Sequence, residues 1–261
     1  MSSFVVGGVS TRHMTKARQL ALAKKIGFNV PPTILTDSYE EVCSFVDSHG
    51  IVAVKPFSPH YWRHTTTDTL RFASTSIIDS SRELDRDTVE AAPSIYQQFI
   101  TKSYELRVTV IGRTIHAAKI TKRDGGYFVD ARMFIESPQT SVEIAHLDAA
   151  LESAILAFME QAGLIYGCLD LVVDRFGVIH FLEVNPSGQF LYIEQLVPEL
   201  RTLASFASLL ANGHEKSSRD YSEDISTKAF EASSDFQLMN EALAKGHASF
   251  SAHNPFYTEL A

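Results

Sequence analysis

Three oxygen-bearing side chains fall in two consecutive apolar runs: Asp170 within residues 165–173, and Glu183 and Asn185 within residues 178–186. Both runs read as strands, and Asp174-Arg175-Phe176-Gly177 between them reads as the turn of a hairpin. Side chains alternate faces along a strand. Asp170 is therefore expected to share a face with Cys168 and Val172, and Glu183 with Phe181 and Asn185. If a two- or four-residue loop sets Asp174 opposite Gly177, then Asp170, Glu183 and Asn185 project from one side. A three-residue loop would send Asp170 to the other face. Two carboxylates and an amide oxygen converging in this way are hard ligands suited to Mg²⁺. The bland alternative is a pair of solvated strand residues. Apolar neighbours on both sides oppose it, because a buried carboxylate needs a cation or donors.

Lys55 ends the apolar run Ile51-Val52-Ala53-Val54. A lysine in that place can reach a phosphate as a point charge, although alone it reads equally as a snorkelling surface residue. Lys16, on a helix, has the same two readings. From Lys102 to Arg132 there are seven basic residues (Lys102, Arg107, Arg113, Lys119, Lys122, Arg123, Arg132) against three acidic ones (Glu105, Asp124, Asp130). A locally basic segment in an acidic chain suggests an anion site. The ten histidines are scattered with no zinc spacing, and His13, His60, His64 and His116 read as packing or surface residues. No Ser/His/Asp arrangement competes.

The elements that would position these groups follow from periodicity. Helical spacing covers about 15–26 and 146–162, and the stripe Val42, Phe45, Val46 marks another helix between Asp37 and Gly50. Strands are expected at 33–36, 51–55, 69–75 and 95–99, and a short helix at 84–91. A first hairpin is expected over 104–110 and 115–121. Residues 57–68, which include Trp62, Arg63 and His64, are polar and aperiodic and read as a loop. Strands and helices mix without a βαβ rhythm, which predicts an α+β fold with antiparallel sheets. The expected domains are a short extension 1–14, a first lobe 15–94, a second lobe with the metal site 95–213, and an acidic, frayed helical tail 214–261.

At 261 residues with 45% hydrophobic and 21% charged residues, the chain can bury a sizeable core. A net charge of −8 argues against a general nucleic-acid binder, and no window is long and apolar enough to span a membrane. Neither a leader-like start nor a disulfide framework is apparent in the sequence, so a cytoplasmic setting is expected.

Taken in order, Lys16, Val54-Lys55-Pro56, Ile95-Tyr96-Gln97-Gln98-Phe99-Ile100, Glu105-Leu106-Arg107-Val108, Cys168-Leu169-Asp170 and Phe181-Leu182-Glu183-Val184-Asn185-Pro186 resemble the ATP-grasp superfamily, over about residues 15–210. Within it the chain most resembles the microviridin-type (graspetide) ligases that cross-link ribosomal peptides. That likeness rests on the phrase from Leu182 to Leu191, on Glu105-Leu106-Arg107-Val108-Thr109-Val110, and on Asp130-Ala131-Arg132, similar to that family's Asp-x-Arg signature. The resemblance implies ATP and Mg²⁺ as cofactors and a ribosomal precursor peptide as partner. It gives Lys16 and Lys55 the ATP phosphates, the backbone of Gln98, Phe99 and Ile100 the adenine edge, and Glu105 the ribose. Arg107 would steady the transferred phosphate and the acyl-phosphate. Asp170, Glu183 and Asn185 would carry Mg²⁺, and Asp130 and Arg132 would meet the peptide. The chain departs from the family in two ways. A further α/β domain normally precedes the first helix, so either the form is truncated or a second copy or partner subunit supplies that surface. The loop at 58–68 also has no glycine. A ligase acting on free amino acids or adding glutamate, and a non-catalytic nucleotide- or peptide-binding module, are the alternatives.

Overall fold

The computed structural model describes residues 6, 14–57, 61–63, 70–72, 75–126, 135, 137–212 and 225–253. The expected helix at the start is α1 (Lys16–Ile26), with the Thr15 hydroxyl accepting from the Arg18 N–H at its N-terminus. There follow β1 (Thr33–Thr36), α2 (Tyr39–His49), β2 (Val52–Lys55), β3 (Tyr61–Arg63), β4 (Leu70–Phe72), β5 (Ser76–Ile78), α3 (Arg86–Glu90) and β6 (Ser94–Gln98). The second half contains β7 (Lys102–Ile111), β8 (Thr114–Lys122), β9 (Thr140–Ile144), α4 (Ala149–Ala162), β10 (Tyr166–Asp174) and β11 (Ile179–Asn185). Helices α5 (Leu191–Leu196), α6 (Thr202–Asn212), α7 (Thr227–Glu231) and α8 (Ser234–His253) close the described chain. None of the described helices is long and apolar enough to cross a membrane.

Two antiparallel sheets carry the architecture. The first has the order β1-β6-β2-β5 and the second β11-β10-β7-β8-β9. Strand β6, expected at the head of the second lobe, instead sits inside the first sheet, paired with both β1 and β2. Its alternation of buried Ile95 and Gln97 with Tyr96 fits a central strand covered on both faces. The passage between the sheets is therefore 99–101. Part of the expected loop at 57–68 is also ordered differently: β3 and β4 pair as a small hairpin, Tyr61 opposite Phe72 and Arg63 opposite Leu70. His64 lies outside the described residues.

One face of each sheet packs under helices as an apolar core. In the first, Val42, Phe45 and Val46 of α2 and Val89 of α3 pack on Val52 and Tyr96. In the second, Leu106, Val108, Ala117, Leu169, Leu171, Val173, Phe181 and Val184 meet Ala23 of α1 and Ile155, Phe158 and Met159 of α4. The rings of Phe28, Phe158 and Phe181 centre this core, with the Phe158 and Phe181 centroids 5.0 Å apart. Helix α1 and the segment after it also close the outer edge of β11: the Val184 N–H donates to Gln19 Oε1 at 2.9 Å, and the Phe181 N–H to the Asn29 carbonyl at 2.8 Å. This seals the edge and brings Lys16 beside β11. The opposite faces of the two sheets look into the space between them.

Candidate active site

The hairpin of β10 and β11 differs from the expected one at two points, and the two differences compensate. Val173 pairs with Ile179, and the Asp174 N–H donates to the Val178 carbonyl, so the loop is the three residues 175–177. Gly177, at φ 80, takes the left-handed position that such a turn demands. By itself that loop would put Asp170 and Glu183 on opposite faces. The register then slips by one: Leu171 pairs with Phe181 but Asp170 pairs with Glu183, leaving Leu182 as the extra residue of a bulge. Contrary to simple alternation, Phe181 therefore points into the apolar core while Glu183 points away from it. Asp170 and Glu183 end up side by side.

Asp170 also pairs in register with Arg107 of β7. A row of charged side chains thus crosses the sheet as Arg107, Asp170 and Glu183. Arg107 Nη1 is 2.6 Å from Asp170 Oδ1, and Lys16 Nζ is 3.4 Å from Glu183 Oε2. Arg107 is 5% exposed. Burial works against its charge, but the Asp170 carboxylate more than offsets this and holds the guanidinium above its ordinary pKa. Nη2 donates to the Gln189 carbonyl at 3.0 Å, while Nε is buried without a hydrogen-bond partner. One row further, Cys168 pairs with Asn185. Asn185 Oδ1 accepts from the Ser187 N–H at 3.0 Å, the start of a tight turn that brings 186–189 over Arg107 and Cys168.

That turn lies very close to the sheet. A Cβ at Gly188 would stand 2.7 Å from Cys168 Cβ and 3.0 Å from Arg107 Nη2, so only glycine fits. The Tyr166 hydroxyl donates to the Gly188 carbonyl. Burial, then the neighbouring Cys168, pushes the Tyr166 phenol well above its ordinary pKa, so it stays a donor. Helices α5 and α6 cover this end of the polar face, where Phe190 and Phe206 pack on Tyr166. The row Arg107–Asp170–Glu183 is left facing the other sheet.

A single cleft between the sheets gathers most of the expected site. It is lined by Lys16, Lys55, Gln98, Phe99, Ile100, Glu105, Asp170 and Glu183. Lys55 Nζ donates to Gln97 Oε1 at 2.9 Å, and Gln97 Nε2 to Thr33 Oγ1 at 3.0 Å, a chain across three strands of the first sheet. The N–H groups of Gln98 and Phe99 donate to the carbonyls of Pro32 and Ile51, which anchors the linker. Arg107 and Asn185 are not among the lining residues: Arg107 lies behind Asp170, and Asn185 lies one row beyond. Asp130 and Arg132 lie outside the described residues. The cleft also contains Lys102, which sequence reasoning counted in the basic segment but gave no role, with its Nζ 2.5 Å from Glu105 Oε1. The cavity is about 90 Å³, below the roughly 300–1,000 Å³ of ligand pockets.

No protein-family model matches the sequence, and no curated protein matches it. Solved structures do match the fold. A RiPP-associated ATP-grasp ligase of Chryseobacterium gregarium, in complex with ADP and a leader and core peptide, has a TM-score of 0.72 at 26% identity over 81% of this chain and 64% of its own. The macrocyclase MdnC of Microcystis aeruginosa MRC, bound with precursor peptide MdnA, has a TM-score of 0.64 at 26% identity over 78% of this chain and 61% of its own. The ATP-grasp ligase PsnB, complexed with a phosphomimetic variant of a minimal precursor, Mg and ADP, has a TM-score of 0.56 at 23% identity over 72% of this chain and 55% of its own. This chain spans less than two thirds of the length of each. Its two antiparallel α+β sheets have the ATP-grasp fold.

Proposed function

We propose that the chain is an ATP-dependent carboxylate ligase that forms ester or amide cross-links in a ribosomally made peptide. The observation that carries this reading is the row Arg107–Asp170–Glu183, whose two carboxylates line one cleft together with Lys16 and Lys55. Two adjacent carboxylates stand there between the cations Arg107 and Lys16, which suits a divalent cation beside phosphate groups. The donor chemistry fits Mg²⁺: two adjacent carboxylates, with the amide of Asn185 one row away, are hard oxygen ligands. The unpartnered Nε of buried Arg107 fits an anion arriving beside Asp170.

In this reading Lys16 and Lys55 hold the ATP phosphates, and the linker backbone at Gln98, Phe99 and Ile100 takes the base. Mg²⁺ at Asp170, Glu183 and Asn185 would supply neutralisation of phosphate charge. A substrate carboxylate attacks the γ-phosphorus, the bond to the bridging oxygen breaks, and ADP leaves. Arg107 stabilises the transferred group and the acyl-phosphate. A hydroxyl or amine of the same peptide then attacks the acyl carbon, and phosphate leaves. The chain needs no covalent nucleophile of its own, because positioning supplies most of the rate. The neighbouring Chryseobacterium and Microcystis proteins were solved with leader or precursor peptides, which supports a peptide substrate. Asp130 and Arg132 are assigned to that peptide on the sequence resemblance, a second copy or partner subunit is the expected further partner, and the cytoplasm, where ATP is plentiful, is the expected setting.

The test is ADP release with and without short peptides rich in Thr, Ser, Lys, Asp and Glu, together with product mass. The account predicts peptide-stimulated turnover and the loss of one water per cross-link. Nucleotide binding with no turnover on any peptide would favour the non-catalytic module, and turnover only with free amino acids would favour the small-substrate ligase.

A further inference from the structure

Two single-residue bulges interrupt the five-stranded sheet beside the cleft, and each turns one charged side chain into it. Leu182 is the extra residue that aims Glu183. The second lies at the start of β7: Tyr104 pairs with Val173 but Lys102 pairs with Asp174, so Ser103 is extra. Without that bulge Lys102 would alternate onto the face of Tyr104, which packs against the apolar core. With it, Lys102 joins Glu105 and Arg107 on the cleft side. Bulges beside binding sites commonly re-aim a side chain in this way. A lysine is seldom buried unless it is paired. The Lys102 side chain is 6% exposed, with its Nζ 2.5 Å from Glu105 Oε1.

The position of this pair along the cleft suggests what it does. Glu105 stands two residues from Arg107, roughly 7 Å along β7 in the direction of the 99–101 linker. The cleft thus runs from the linker, past Lys102 and Glu105, to the row Arg107–Asp170–Glu183. A nucleotide with its phosphates at the row and its base at the linker has its sugar beside Glu105. A carboxylate offers about four acceptor sites, enough to take the ammonium and a sugar hydroxyl together.

We propose that Lys102 is a positioning residue for sugar selection: it fixes Glu105 so that the carboxylate accepts from the ribose hydroxyls, and the site thereby prefers ribonucleotides to 2′-deoxynucleotides. This rests on the nucleotide reading given above. Lys102 itself acts through Glu105.

Calorimetric titration with ADP and with 2′-deoxy-ADP, each with Mg²⁺, tests it. The wild-type chain binds ADP about tenfold more tightly or better, the scale of a hydrogen bond to a charged group. Lys102→Met weakens ADP about tenfold and 2′-deoxy-ADP by less than about threefold, so the preference collapses. Lys102→Arg keeps the preference, and adding Lys102→Met to Glu105→Gln changes it no further. Equal weakening of both nucleotides by Lys102→Met, or an intact preference, overturns the inference alone. Should circular dichroism show Lys102→Met unfolded, Glu105→Gln decides: an unchanged preference there overturns it. A wild-type chain that binds no ADP overturns the nucleotide reading and this inference together.

Discussion

The five-stranded sheet has two faces made from alternate residues of the same strands, and they do different work. One face is mainly apolar and lies under α1 and α4, with Phe158 and Phe181 wholly buried. The other carries Glu105, Asp170 and Glu183 into the cleft, with Arg107 beside Asp170, and packs Cys168 against Leu209 of α6. Stability should therefore reside mainly on the first face and chemistry on the second. The division is not simple alternation. The bulges at Leu182 and Ser103 break alternation where a charged side chain would otherwise have faced the core.

The largest effect expected on the polar face is that of Glu183→Gln. It removes a hard ligand while keeping shape, and should lower metal-dependent turnover by about 10³-fold or more. Denaturant midpoints should barely move, since the residue is half-buried and its contact with Lys16 is a partly exposed ion pair at 3.4 Å. The mirror experiment is Phe181→Ala, two residues away. It should cost about 3–5 kcal/mol in urea unfolding, because it empties the centre of the aromatic cluster. If both variants lost stability equally, the division between the faces would fail.

Gly188→Ala tests the packing of the turn over the second face. The added methyl would meet Cys168 and the Arg107 guanidinium. Overpacking of this kind costs about 1–3 kcal/mol, and turnover should fall further than the stability loss explains, because Arg107 is displaced. Tyr166→Phe is the mildest change. It should cost about 1 kcal/mol by removing the donor to the Gly188 carbonyl, with nucleotide affinity unchanged. A large fall in ADP affinity in Tyr166→Phe would mean that the loop 186–189 contacts the nucleotide.

Much of this was legible in the residues. The apolar runs flanking Asp170 and Glu183 gave the hairpin, and the order of lysines, linker and acidic residues gave the cleft. The parity of the hairpin was not legible. Asp174-Arg175-Phe176-Gly177 accommodates more than one loop length, and the structure has the three-residue loop that alone would have separated the carboxylates. Phe181-Leu182-Glu183 has no mark of a bulge, since one extra residue leaves no periodicity to read. The face taken by Lys102 was hidden for the same reason: strict alternation puts it with Tyr104. Residues 95–99 were legible as a strand between the lobes, but their sequence does not tell which neighbours β6 pairs with, and these are β1 and β2.

The central claim is that Asp170, Glu183 and Asn185 grip a divalent cation beside a nucleotide between the sheets. Calorimetry of ADP binding with Mg²⁺ and with a chelator tests it most directly. The account predicts that Mg²⁺ tightens ADP by tenfold or more, about 1.4 kcal/mol, in the wild-type chain, and that Glu183→Gln abolishes this gain. Equal ADP affinity with and without Mg²⁺, or an undiminished Mg²⁺ effect in Glu183→Gln, would contradict it.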